Sequence, residues 1–159
     1  MHRKFAPKIA VYRWHRLALA VADSSLPRAL LARALTTLAP EELATFTDFL
    51  VWHKMAPLWH ERLEAAALLD SVDADIAERL SANRLNACAL YLVQRQSLIE
   101  IDHLFERHAI PYVAIKGSSV REGLYSDASL RPAADIDILV DPTRRLQAPV
   151  TASSMKFRI

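Results

Sequence analysis

The chain has 159 residues, of which 52% are hydrophobic and 24% are charged. This balance excludes an intrinsically disordered chain, and the length allows one domain or a helical region joined to a small α/β unit. The formal net charge of +2 is too small to indicate a nucleic-acid partner, because phosphate-binding surfaces concentrate Lys and Arg on one face.

Cysteine content and hydropathy indicate the compartment. The single cysteine, Cys88, cannot form an intramolecular disulfide, and no apolar run approaches the roughly 20 residues that cross a bilayer. A cytoplasmic protein without membrane contact is therefore expected. Residues 1–16 are basic and contain no acid, as organelle transit peptides do, and a frayed basic N-terminus is the other interpretation.

The first 116 residues contain no glycine and are rich in Ala and Leu, a composition typical of helices. Helix-starting residues recur along them, since Pro suits the first helical position and Ser or Asp suits the cap. One predicted helix begins near Ser24 or Ser25, before Pro27, and a second begins at Pro40. A third covers Leu58 to Leu69, and a fourth runs from Asp73 to about His108. Residues 1–108 are therefore expected to form a helical bundle.

The aromatic and histidine residues of this region favour structural roles. Trp14, Trp52 and Trp59 are predicted core residues. His53 and His60 are seven residues apart and would share a helical face, but no acid or third histidine completes a metal-ligand set. Core or surface histidines are the preferred interpretation.

The sequence pattern changes after residue 108. Pro111 to Ile115 is short and β-rich, Ser118 to Tyr125 suits a short helix, and Ala134 to Val140 alternates carboxylates with aliphatic residues as a half-buried strand does. We predict an α+β fold in which the helical bundle precedes a small α/β unit with a small mixed sheet. The predicted units are 1–108, 109–146 and an irregular tail at 147–159.

Two carboxylates stand two residues apart in the second predicted strand. Side chains at this spacing point to the same face of a strand, about 6.6 Å apart along the chain, so Asp135 and Asp137 would lie together. Adjacent carboxylates repel each other unless a cation or a donor lies between them. Mg²⁺ is the natural occupant, since it takes one or two carboxylates plus the phosphate oxygens of a nucleotide.

The sequence Lys116-Gly117-Ser118-Ser119 follows the first predicted strand, where a helix is predicted to begin. Glycine lets the backbone approach a phosphate closely, and a helix N-terminus offers free N–H groups. The serine hydroxyls add donors, and Lys116 adds a point charge. This segment therefore predicts an anion site near the carboxylates.

These motifs together resemble a family of poorly characterised nucleotidyltransferases in the polymerase-beta-like superfamily. The residues that carry the resemblance are Ile115-Lys-Gly-Ser-Ser, Leu124-Tyr125, Arg131-Pro132 and Asp135-Ile-Asp-Ile-Leu-Val140. The preceding helical region, including His53-Lys-Met-Ala-Pro-Leu58, is similar as well, so the resemblance covers about residues 48 to 142.

The resemblance implies Mg²⁺-dependent transfer of a nucleoside monophosphate from a nucleoside triphosphate to a hydroxyl of an unidentified acceptor, whether small molecule, protein or RNA. Asp135 and Asp137 would be the catalytic, metal-binding residues of a two-ion site. Lys116 to Ser119 would bind the nucleotide. Arg131 would either bind the triphosphate or pair with an acid in its own loop.

The superfamily places a third carboxylate on a later strand, and residues 141–159 contain no acid except Asp141. The expected nucleotidyltransferase unit is thus partial, as in a truncated gene, a frameshift near residue 146 or a fragment. The alternative function is a degenerate, non-catalytic member that binds a nucleotide or a protein. A glycosyltransferase also uses Asp-x-Asp, but it needs a large nucleotide-sugar domain before the motif, where this chain is helical.

Overall fold

The structure is a computed structural model that describes residues 8–21, 26–141 and 143. Two short 3₁₀ turns, Leu69–Ser71 and Ala128–Leu130, accompany the helices and strands. Those helices and strands are α1 (Lys8–Ala20), α2 (Arg28–Thr36), α3 (Pro40–Trp52), α4 (Ala56–Ala65), α5 (Ala74–Arg107), β1 (Tyr112–Ile115), α6 (Gly117–Leu124) and β2 (Asp137–Val140). The α+β class predicted from the sequence is confirmed.

The helix starts follow the local signals of the sequence. Helix α3 begins with Pro40, and the backbone N–H of Ala39 donates to Oε2 of Glu42 over 3.1 Å, which supplies half of a capping box. At the start of α5, Oδ1 of Asp73 accepts from the backbone N–H of Asp75 over 3.0 Å. The predicted start at Pro40 and the predicted cap at Asp73 are thus confirmed, whereas Ser24 and Ser25 lie outside the described residues.

Three helices end on left-handed residues that are not glycine. These are Lys54, Ala67 and Ala109, with φ of 59°, 52° and 51°. In each case the next residue closes the end through its backbone N–H, as in a Schellman motif. These bonds are Met55 to Leu50 (2.8 Å), Leu68 to Leu63 (2.8 Å) and Ile110 to Phe105 (2.9 Å). A glycine-free sequence therefore still ends its helices sharply, at a cost of roughly 1–2 kcal/mol per left-handed residue.

The described residues up to Leu85 form one compact unit with its own core. Phe46, Trp59 and Trp14 are buried, and the indole N–H of Trp59 donates to the carbonyl of Ala18 over 3.3 Å. The expectation that Trp52 belongs to the core is wrong, because its side chain is 69% exposed. The buried stripe of α3 follows helical spacing, and Trp52 at its last residue falls on another face.

The described residues from Asn86 onward form the second compact unit, whose core lies between the end of α5 and the sheet. Strands β1 and β2 pair antiparallel, with Tyr112 opposite Val140 and Ile115 opposite Asp137. The members of this core are Ile101, Phe105, Ile110, Ile138 and Val140. The other sheet face carries exposed Val113 and Leu139.

The second strand is shorter than predicted. It begins at Asp137 and not at Ala134, because the chain turns into α6 after Ile115 and no described strand lies opposite residues 134–136. Over the described residues the sheet is an antiparallel pair and not the mixed sheet that was expected.

The predicted domain boundary at residue 108 lies where helix gives way to strand. The two compact units divide inside α5 instead, so this boundary stays a prediction. The predicted tail at 147–159 lies outside the described residues. Within the described part of the chain, every helix is too short or too polar to cross a membrane.

Candidate nucleotide site

A sharp strand-to-helix turn forms the first part of the candidate site. Strand β1 ends at Ile115, Lys116 adopts φ 55° and ψ −126°, and α6 begins at Gly117. The backbone N–H of Val120 donates to the carbonyl of Lys116 over 2.8 Å, which closes the first turn of α6. The structure thus has the predicted helix N-terminus directly after the strand.

Gly117 lies where the turn meets the loop before β2. A Cβ atom built on Gly117 would be 3.1 Å from Cβ of Ala133, tighter than an ordinary van der Waals contact. Its φ is not positive, so the close approach, and not backbone conformation, accounts for a glycine here.

Asp137 lies at the start of β2, directly opposite Ile115. Its side chain is 9% exposed, and Oδ1 is 3.2 Å from Nζ of Lys116, whose side chain is 61% exposed. The strand register therefore places the buried carboxylate next to the turn. An ammonium group already occupies a cation position beside this carboxylate.

The two other charged residues of the predicted site, Asp135 and Arg131, lie outside the helices and strands. Asp135 is exposed and precedes β2, so the same-face argument for two carboxylates in one strand does not apply to it. Arg131 is also exposed and follows the 3₁₀ turn at Ala128–Leu130. Their roles stay predictions.

The two serines of the turn point in different directions. Ser119 is exposed in the first turn of α6. Ser118 is only 2% exposed, and its hydroxyl makes no hydrogen bond to the described part of the chain. Only Ser119 therefore presents its hydroxyl to solvent beside the turn.

A buried polar group beneath the turn was not anticipated from the sequence. Arg121 is 1% exposed, and its Nη1 donates to Oε1 of Gln94 over 2.6 Å, while Nε2 of Gln94 donates to the carbonyl of Ala133 over 2.9 Å. The guanidinium lies 4.9 Å from the ring centroid of Tyr91. Helical spacing puts Arg121 on the same face as Ser118, but no sequence signal says that this face is buried.

Burial shifts the pKa of three groups in the described part of this unit, and it raises that of Tyr91, with the hydrogen bond to Glu122 as the next cause. Desolvation lowers the pKa of Arg121, against the attraction of Glu122. Burial also raises the pKa of Tyr112 to about 12, helped by the hydrogen bond that its hydroxyl donates to Oδ1 of Asp102 over 3.0 Å. Tyr112 therefore keeps its proton at neutral pH and acts as a donor.

The donor chemistry fits one hard cation. Carboxylate oxygens suit Mg²⁺, and the contact with Lys116 shows that Oδ1 of Asp137 accepts positive charge. The described residues contain no cluster of three or more His, Cys, Asp or Glu side chains that could enclose a metal ion. The carboxylates available to such an ion are thus the buried Asp137 and the exposed Asp135.

A helical region is followed by a strand, a Gly-Ser turn and an adjacent strand that begins with Asp137, which is the order expected from the resemblance to nucleotidyltransferases. A family model described as uncharacterised nucleotidyltransferase matches residues 39–152. Because this match covers more than half of the chain, the protein belongs to that family of uncharacterised nucleotidyltransferases. No curated protein and no solved structure matches the chain.

Proposed function

We propose that the protein binds a nucleoside triphosphate with Mg²⁺ and transfers its nucleoside monophosphate to a hydroxyl of an acceptor. One observation carries this proposal: the register that sets Ile115 opposite Asp137 brings a buried carboxylate within 3.2 Å of the lysine in the Gly-Ser turn. Family membership supports the use of a nucleoside triphosphate in general.

The turn would bind the phosphates. The first N–H groups of α6 have no intrahelical partner, and the positive end of the helix dipole favours an anion there. Gly117 lets the turn pack closely against Ala133, and Ser119 offers an exposed hydroxyl. Lys116 is exposed enough to exchange its contact with Asp137 for one with a phosphate. Arg131 would add a second positive charge.

Asp137 would hold Mg²⁺, with Asp135 as the second carboxylate. The ion would neutralise the charge of the triphosphate. The acceptor oxygen forms a bond to the α-phosphorus, the bond from that phosphorus to the β-phosphate bridge breaks, and pyrophosphate leaves with the electron pair. The acceptor hydroxyl gives its proton to a base. A third carboxylate would help to activate that hydroxyl.

A second candidate function is nucleotide binding without transfer. The Lys116 contact with Asp137 favours it, because an ammonium occupies one face of the carboxylate that a catalytic ion would need. The described residues also lack a three-member cluster of acids and histidines. Such a protein would bind a nucleotide, or a partner protein, and release it unchanged.

Calorimetry with Mg²⁺ and a non-hydrolysable ATP analogue tests the binding step. Asp137→Asn and Asp135→Asn should each weaken binding at least tenfold, about 1.4 kcal/mol, because each removes a charged ligand of the ion. Asp70→Asn removes the same charge from an exposed position in the helical unit and should leave binding unchanged. Equal affinity in the wild type and in Asp137→Asn would refute the assignment.

A labelling experiment separates the two candidate functions. The wild type and Asp137→Asn are incubated with radiolabelled triphosphates, Mg²⁺ or Mn²⁺, and cell extract. Labelling of an acceptor by the wild type alone would support transfer, and digestion with nuclease or protease would identify the acceptor class. Binding without labelling would support the non-catalytic member.

A further inference from the structure

The side chains of Gln94 and Arg121 connect three separate segments of the second unit. Gln94 comes from α5, Arg121 from α6, and the carbonyl that Gln94 bonds belongs to Ala133, in the loop before the predicted metal ligands. Both side chains are buried, at 6% and 1% exposure. This pair is called the Gln94–Arg121 relay below.

The chemistry of the relay permits only one orientation of the glutamine amide. Arginine can only donate, so the amide oxygen must face it, and a backbone carbonyl can only accept, so the amide nitrogen must face Ala133. Gln94 therefore uses both ends of its amide, accepting with the oxygen and donating with the nitrogen.

Burying the guanidinium of Arg121 costs free energy, because the charged group loses its hydration. Nε and Nη2 of Arg121 have no hydrogen-bond partner in the described residues. A hydrophobic side chain at position 121 would avoid this desolvation. The relay is thus better explained by what it fixes than by the stability it adds.

The relay fixes how the loop before β2 lies against the turn at the start of α6. Gly117 lies in that turn, at the start of the helix that carries Arg121. Ala133 lies two residues before Asp135, and a Cβ atom built on Gly117 would be 3.1 Å from Cβ of Ala133, so the two segments are in close contact. We infer that the Gln94–Arg121 relay is a positioning device that holds the loop carrying Asp135 against the phosphate-binding turn. This inference rests on the proposed nucleotide site.

Backbone order parameters of the ligand-free protein, measured by NMR relaxation, test the relay without any nucleotide. Gln94→Met removes both hydrogen bonds. The order parameters of residues 118–122 and 133–136 should therefore fall from the rigid value of about 0.85 towards 0.6. Gln94→Glu keeps the acceptor for Arg121 but loses the donor to Ala133, so only residues 133–136 should loosen. Gln96→Met, an exposed change on the same helix, is the matched control.

Calorimetry on the same variants then tests the consequence. Gln94→Glu should weaken binding of Mg²⁺ with the non-hydrolysable ATP analogue about tenfold at a temperature where it is fully folded, and Gln96→Met should not. Because Glu can pair with Arg121, Gln94→Glu decides the question even if Gln94→Met does not fold.

The outcomes separate this inference from the proposed function. If residues 133–136 had the same order parameters in Gln94→Glu as in the wild type, the relay would be refuted, whether or not a nucleotide binds. A loosened loop with unchanged affinity would overturn its positioning role. Failure of the wild type to bind any triphosphate would overturn the proposed function and the positioning role together, while the relaxation data would still decide whether the relay holds the loop.

Discussion

Lys116 combines a strained backbone with a side chain that reaches Asp137. Its φ of 55° and ψ of −126° lie in a region that glycine adopts most easily, and a residue with a Cβ atom there costs about 1 kcal/mol. Glycine instead occupies the next position, where the φ is ordinary and the close contact is with Ala133. The ammonium that reaches Asp137 accounts for keeping a lysine at the strained position.

Lys116→Gly and Lys116→Ala should differ in stability although both remove the ion pair. The glycine variant should be about 1 kcal/mol more stable than the alanine variant, because only glycine relieves the backbone strain. Denaturant unfolding followed by circular dichroism measures the difference.

Lys54 provides a control for the positive φ, since its φ is 59° and its side chain is exposed, although it closes a helix and does not start one. Lys54→Gly should also be more stable than Lys54→Ala. If glycine and alanine were equivalent at 116 but not at 54, the strain at Lys116 would be absent.

At the scale of elements, α6 joins the two halves of the candidate site. It starts at the turn, presents Ser119 outward and carries Arg121 inward. Its two glycines have opposite surroundings, since a Cβ on Gly117 would meet Ala133 and a Cβ on Gly123 would meet nothing within 4 Å. One glycine therefore serves close packing and the other does not.

Gly117→Ala and Gly123→Ala should change stability in opposite directions. Gly123→Ala should stabilise the protein by roughly 0.5–1 kcal/mol, because alanine favours the helix and has room. Gly117→Ala should cancel that gain or reverse it, since the added carbon presses on Ala133, and it should also weaken nucleotide binding. Thermal unfolding and calorimetry measure both effects, and a stabilised Gly117→Ala with wild-type affinity would contradict the assignment of the turn.

For the whole molecule, the two compact units have separate described cores. Phe46 belongs to the core of the helical unit and Phe105 to the core beneath the sheet, at 1% and 4% exposure. Helix α5 contributes residues to both units. Each core can therefore be weakened by its own substitution.

Phe46→Ala and Phe105→Ala should each cost about 3–5 kcal/mol, and each should act on a different part of the chain. Hydrogen exchange should accelerate in α3 and α4 for the first variant and in β1 and β2 for the second, because a lost aromatic ring loosens what packs on it. Equal acceleration throughout both units in either variant would show that the cores are not separate.

Short-range signals made much of this fold predictable from the sequence. Pro40, the cap at Asp73 and the β-rich segment before Gly117 act within a few residues, so they indicated where α3, α5 and β1 begin. The Gly-Ser turn and the Asp137 strand were also predicted, and with them the family. Mg²⁺, the triphosphate, the acceptor, the roles of Asp135 and Arg131, and the cytoplasmic location stay predictions.

The sequence alone determined the helical composition, the order of the elements and the motif, because each depends on neighbouring residues. Only the tertiary structure decided which faces are buried. It exposed Trp52, began β2 at Asp137, and joined Gln94 to Ala133 across 39 residues of sequence. Such contacts depend on how distant segments pack, and neither periodicity nor composition specifies which buried polar groups will meet.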